Sequence, residues 1–170
     1  MTATTTDSGS PWSPFRQKAY LVLWGATVVS NIGTWMNDVG AGWLMTSLAP
    51  SPQIVAAVQA ATTLPVFLFA VLAGAVADIV DRRRLLLIVN LLLAVTAMIL
   101  AVLVQVDAMT PVLLLIFTFL LGSGAAFIAP AWQAIVPKLV PREDLTAAVA
   151  LNSMGINISR AIGPAVAGML

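Results

Sequence analysis

Asp38 and Arg160 have the most chemistry to offer in this chain, because each is a single charge set inside a long apolar stretch. Even on lenient insertion scales a lone charge in hydrocarbon costs about 2.5 to 3.5 kcal/mol, so such groups face a water-filled cavity or pair with one another. A carboxylate that alternates between an arginine partner and a proton supplies a coupling step for proton movement. Polar neighbours share the helical pitch. Asn31, Thr34, Trp35 and Asp38 follow i, i+3, i+4, i+7, and Ser153, Asn157 and Arg160 keep the same spacing near the far end. Two polar stripes on oily helices predict a shared aqueous path, with Asp38 and Arg160 as a coupled pair along it. Counted from the start of their apolar runs at about 1.5 Å per residue, they lie roughly 28 Å and 22 Å along their helices. Two plainer readings stay open: Asp38 solvated near the outer interface, and Arg160 in a structural pair or snorkelling.

Other chemistry is short of parts. The chain has no Cys and no His, so thiolate nucleophiles, imidazole bases and the common zinc sites have no ligands to draw on, and no metal site or cofactor is expected. Asp38 is the only carboxylate inside an expected span, so no nucleophile and base constellation can be assembled and an enzyme is not expected. Eight Lys and Arg against seven Asp and Glu give a net charge of +1, far from the basic patch that nucleic-acid binding needs. Trp24, Trp35, Trp43 and Trp132 are either substrate contacts or members of an interfacial belt, with Trp43 best suited to the belt.

The elements that carry these residues follow from composition. Of the 170 residues, 60% are hydrophobic and 9% charged, against about a quarter charged in a soluble domain. Uncharged runs at 19–37, 39–77, 85–106 and 108–137 are long enough for helices crossing about 30 Å of hydrocarbon. Residues 1–18 read as a cytoplasmic tail and 19–170 as an all-α polytopic membrane bundle. Five spans are expected at about 19–48, 53–77, 85–105, 111–136 and 145–170. Pro50 and Pro52 break the first from the second, Asp78 to Arg84 form a polar turn, and Pro111 opens the fourth at a position where its missing N–H costs nothing. Pro130 is expected to kink that helix.

Arg16 and Lys18, then Arg82, Arg83 and Arg84, then Lys138 and Arg142 fall at alternate loops, and the intervening loops carry no Lys or Arg. By the positive-inside rule the N-terminus, the 78–84 loop and the 137–144 loop face the cytoplasm of a cell membrane. An odd number of spans, the last reaching Leu170 without a polar stop, predicts a fragment of a larger bundle.

The stretch Gly74-Ala-Val-Ala-Asp78-Ile-Val-Asp81-Arg82-Arg83-Arg84 resembles motif A of the major facilitator superfamily, with Asp81 where the family usually has Gly. Gly74 would let a neighbouring helix approach closely, and Asp78 would meet the arginines or the positive end of another helix. A purely topological anchor is the alternative for this segment. Ser159-Arg-Ala-Ile-Gly163-Pro164-Ala-Val-Ala167-Gly168 is similar to the antiporter motif C of the same superfamily, with Ser159 and Ala167 for two glycines. Either it has that role or it is an ordinary small-residue packing seam. Leu-Gly122-Ser-Gly124 resembles the tail of motif B, but Thr118 and Leu121 hold the places of its Arg and Gln, so the arginine linked to proton coupling is missing.

Trp35-Met-Asn-Asp38, Trp43-Leu-Met-Thr-Ser and Pro130-Ala-Trp-Gln-Ala-Ile-Val-Pro137 resemble the drug and siderophore exporter branch called transmembrane secretion effectors, which includes the enterobactin exporter. The resemblance implies the N-terminal half of a secondary transporter that exports small amphipathic organic molecules. It also implies as partners the lipid bilayer, a small-molecule substrate and the missing C-terminal half. A non-transport membrane scaffold or accessory subunit is the competing expectation.

Overall fold

The computed structural model describes residues 10–169; the start of the expected tail and Leu170 lie outside the described residues. Five α-helices follow one another: α1 Lys18–Leu48, α2 Pro52–Ile79, α3 Arg82–Gln105, α4 Pro111–Leu139 and α5 Leu145–Ala167. Short 3-10 turns at Ser13–Arg16 and Arg142–Asp144 precede α1 and α5. Among the described residues there is no strand, and the fold is an all-α membrane bundle. α2, α3 and α4 are long and apolar enough to cross a membrane. α1 and α5 are also long, but their polar stripes lower their hydropathy.

Local chemistry sets the breaks. Ser51 is extended (φ −112°, ψ 122°) and Pro52 opens α2, as the restriction on residues before proline demands. Thr110 Oγ1 accepts the Leu113 N–H at 3.3 Å and caps α4, which Pro111 begins. α3 ends on Asp107 at φ 54°, with the Asp107 N–H donating to the Val104 carbonyl and the Ala108 N–H to the Leu103 carbonyl. That pattern is a Schellman close, with Asp in the left-handed position where Gly is commonest.

One expected boundary needs correction. Residues 78–84 are not a polar loop: Asp78 lies in the last turn of α2 and Arg82, Arg83 and Arg84 form the first turn of α3. The Asp81 carboxylate accepts the Arg84 N–H at 2.9 Å, so α3 can begin at once and only Val80 and Asp81 turn the chain. α4 runs unbroken through Pro130, and α5 ends at Ala167, short of the expected limit.

The described chain divides into two compact units, one of residues up to Met36 with those from Ile135 on, the other Asn37–Ala134. In the first, the leading part of α1 lies parallel to α5. Tyr20 meets Ala148, Trp24 meets Leu151 and Val28 meets Ser159, so both helices advance together. In the second, α2 and α4 are parallel while α3 runs against both. Leu100 packs with Leu114 at one end of this unit and Leu85 and Val89 with Ala131 at the other. Between those clusters Phe69 sits 6.4 Å from the Phe119 ring and 6.1 Å from the Phe127 ring. Large apolar side chains such as Phe67, Val71, Leu91 and Met98 point outward, the pattern of a lipid-facing surface.

Candidate functional site

In the first unit the α1–α5 seam is built from small residues and hydrogen bonds. A Cβ placed on Gly155 would come within 2.9 Å of Val28 and 3.1 Å of Trp24, and one on Gly163 would collide with the Trp35 Cβ. Ser159 is fully buried, its hydroxyl 2.9 Å from the Gly155 carbonyl and 3.1 Å from that of Val28. Tyr20 donates to the Ala148 carbonyl at 2.8 Å and Trp24 Nε1 to that of Leu151 at 2.9 Å. Where water is absent such bonds between helices have few competitors. Of the motif C residues, Ser159 and Gly163 therefore lie in a helix seam; Pro164 is half-buried and Gly168 follows the helix end.

The polar stripe of α5 lies elsewhere on that helix. At 3.6 residues per turn, Ser153, Asn157 and Arg160 centre roughly 165° around from Leu151, Gly155 and Ser159. Burial agrees, since the first three are exposed and the last three buried. Ser153 donates to the Val149 carbonyl at 3.1 Å and Asn157 to that of Ser153 at 2.9 Å, each turning back onto its own helix. Arg160 reaches sideways instead, and its guanidinium carbon lies 5.2 Å from the centre of the Trp35 ring. On α1, Thr34 is exposed and donates to the Ser30 carbonyl at 3.1 Å, while Asn31 and Trp35 are half-buried.

Asp38 belongs to the second unit, where it is half-buried. The next residue back, Asn37, lines an otherwise apolar groove with Gly40, Leu44, Ala97 and Val104. The sequence reading passed over Asn37, although it interrupts the same oily helix.

At the other end of that unit, the motif A residues gather around Arg82. Its Nη2 is 3.9 Å from the Asp78 carboxylate, Nε donates to the Ala77 carbonyl at 3.4 Å and Nη1 to the Ala134 carbonyl at 3.3 Å. One guanidinium therefore ties the end of α2 to the end of α4. Asp78 is 80% exposed, so its ion pair is solvated and contributes little stability. Asp81 has φ −57°, a conformation that needs no glycine, which explains how the departure from the motif is tolerated. A Cβ on Gly74 would meet nothing within 4 Å, so the close approach expected there is not made by this unit. Arg83 and Arg84 are exposed. Gly122 and Gly124, read as the tail of motif B, serve packing: their added Cβ atoms would fall 2.6 Å from the Thr62 carbonyl and 2.5 Å from Leu93.

The tryptophans divide by environment. Trp24 belongs to the seam, Trp35 lies under Arg160, Trp132 is buried and Trp43 is 79% exposed near the end of α1, where a belt residue would sit. Among the described residues no group of three or more His, Cys, Asp or Glu side chains is arranged to hold a metal.

The chain is 33% identical to the staphyloferrin A transporter of Staphylococcus aureus over 140 residues, 82% of this chain and 35% of that protein. It is 25% identical to macrolide efflux protein A of Streptococcus pyogenes over 151 residues, 89% of this chain and 37% of that one. A third relative, macrolide efflux protein A of Enterococcus faecalis, is 30% identical over 107 residues, 63% of this chain and 33% of its own length. The chain thus spans about a third of the length of the curated relatives it matches. No solved structure matches it significantly. The transmembrane secretion effector family matches residues 9–170, nearly the whole chain and all five helices, and the chain belongs to that family of major facilitator transporters, multi-pass proteins of the cell membrane.

Proposed function

We propose that this chain forms the N-terminal part of a secondary transporter that exports small amphipathic organic molecules of the drug or siderophore type. The observation that carries it is the outward polar face of α5, with Ser153, Asn157 and Arg160 exposed on a helix whose opposite face is sealed against α1. A helix sealed on one side and carrying three polar side chains among the apolar ones on the other suits the wall of a water-filled path. The relatives, a staphyloferrin A transporter and a macrolide efflux protein, support export of organic molecules over passage of a simple ion.

In this reading all five helices cross the membrane, with the N-terminus, the α2–α3 turn and the α4–α5 connection cytoplasmic. The parallel pairs α1 with α5 and α2 with α4 support that alternation. The relatives are more than twice as long as this chain, which supports a second helical bundle as the partner across the path. The test is efflux from a bacterial host lacking its own exporters and expressing the complete gene product. Faster loss of a preloaded macrolide or siderophore than from cells carrying an Arg160→Gln, Asn157→Ala double variant is the expected result. Equal loss from both would remove the α5 face from the path.

A further inference from the structure

We propose that Arg160, laid over the Trp35 ring on the outward face of α5, is a recognition group for a carboxylate on the transported molecule. The inference rests on the transporter reading and names the substrate class that the α5 face would select.

The argument starts from what Arg160 lacks. No carboxylate of its own unit lies within ion-pair distance among the described residues, and what it meets there is the face of the Trp35 indole. A ring face attracts the cation but accepts no conventional hydrogen bond, so the N–H donors at the edge of the guanidinium stay available. Those donors form a planar fork whose spacing matches the two oxygens of a carboxylate. The side chain is also held in place. Gly163 lets α5 close against the Trp35 Cβ, which brings the two helices together beneath Arg160, and Ser159, one residue before Arg160, is hydrogen-bonded in the seam. Holding an arginine by its flat face in this way orients it without neutralising it. An exposed guanidinium held in this way can take an anionic group of a passing molecule on its free N–H edge.

The test uses the complete gene product in proteoliposomes and 4-hydroxyphenylglyoxal, which modifies accessible arginines and is read by peptide mass spectrometry. Arg160 should be modified, and citrate or 4-phenylbutyrate should slow its modification by at least about fivefold while leaving Arg83 unaffected. The neutral 4-phenylbutyramide should not protect. Trp35→Leu should weaken the protection by roughly two- to fivefold, because the guanidinium is no longer held. An unreactive Arg160, equal protection at Arg83, or equal protection by the amide would each overturn the proposal. A transport arm separates the two readings. Arg160→Gln should impair movement of 4-phenylbutyrate and spare its amide, with Arg160→Lys intermediate. Citrate protection in a protein that moves no compound would overturn the transporter reading and leave the carboxylate site standing, whereas transport without protection would overturn the site alone.

Discussion

Ser159 of α5 places its hydroxyl 3.1 Å from the Val28 carbonyl of α1, and in doing so stands where the superfamily motif has glycine. A serine there keeps the close approach that a small residue permits and adds a bond between the helices. Ser159→Ala should therefore lower stability in bicelles by about 0.6 to 2 kcal/mol, the range for such bonds in membranes. Gly163→Val should cost more, since its added carbons would collide with Trp35. A denaturation midpoint unchanged in both variants would show that the seam does not hold the first unit together.

The α2–α3 turn separates stability from function. Asp78 is 80% exposed and 3.9 Å from Arg82, so Asp78→Asn should change stability by less than about 1 kcal/mol. Efflux should nevertheless fall steeply if that charge stabilises one conformation of the transport cycle. Arg82→Ala should destabilise more than Arg83→Ala, because only Arg82 is bonded to the carbonyls of Ala77 and Ala134. Normal transport by Asp78→Asn would reduce this segment to a topological anchor.

Asp107 adopts φ 54° at the close of α3, where a residue without Cβ fits best. Asp107→Gly should stabilise the second unit by up to about 1 kcal/mol, and Asp107→Val should destabilise it by about 1 to 2 kcal/mol. Thermal melting in detergent checks both. The opposite order would mean that α3 does not end in this conformation.

Alternation of the loops predicts where reporters read. A fusion at Pro50 or Ala108 should report the external side, and one at Arg84 or Arg142 the cytoplasm. Arg83→Ala alone should keep this orientation, since Arg82 and Arg84 remain. A cytoplasmic signal from Ala108 would break the five-span arrangement.

Composition and the spacing of charges were enough to locate the helices, because a membrane-spanning segment has to be long, apolar and bounded by polar or helix-breaking residues, and all three are local properties. Pro52, Pro111 and the arginines at 82–84 marked helix ends within a few residues. The α2–α3 boundary was misread because a run of charges looks like a loop until a carboxylate at Asp81 is seen capping the next helix. Neighbouring residues likewise announced the polar stripe on α5, since helical pitch alone puts Ser153, Asn157 and Arg160 on one face. That the stripe turns away from the α1–α5 seam was decided only in three dimensions. The α1–α5 seam depends on residues more than a hundred positions apart, and nothing local in Tyr20 or Trp24 says that each donates to a carbonyl of α5. The same holds for Trp35 beneath Arg160 and for Arg82 at the end of α4. A helix's own sequence fixes which residues share a face, but a partner for that face comes from tertiary packing, through Gly155, Ser159 and Gly163 where a larger side chain would hold the helices apart.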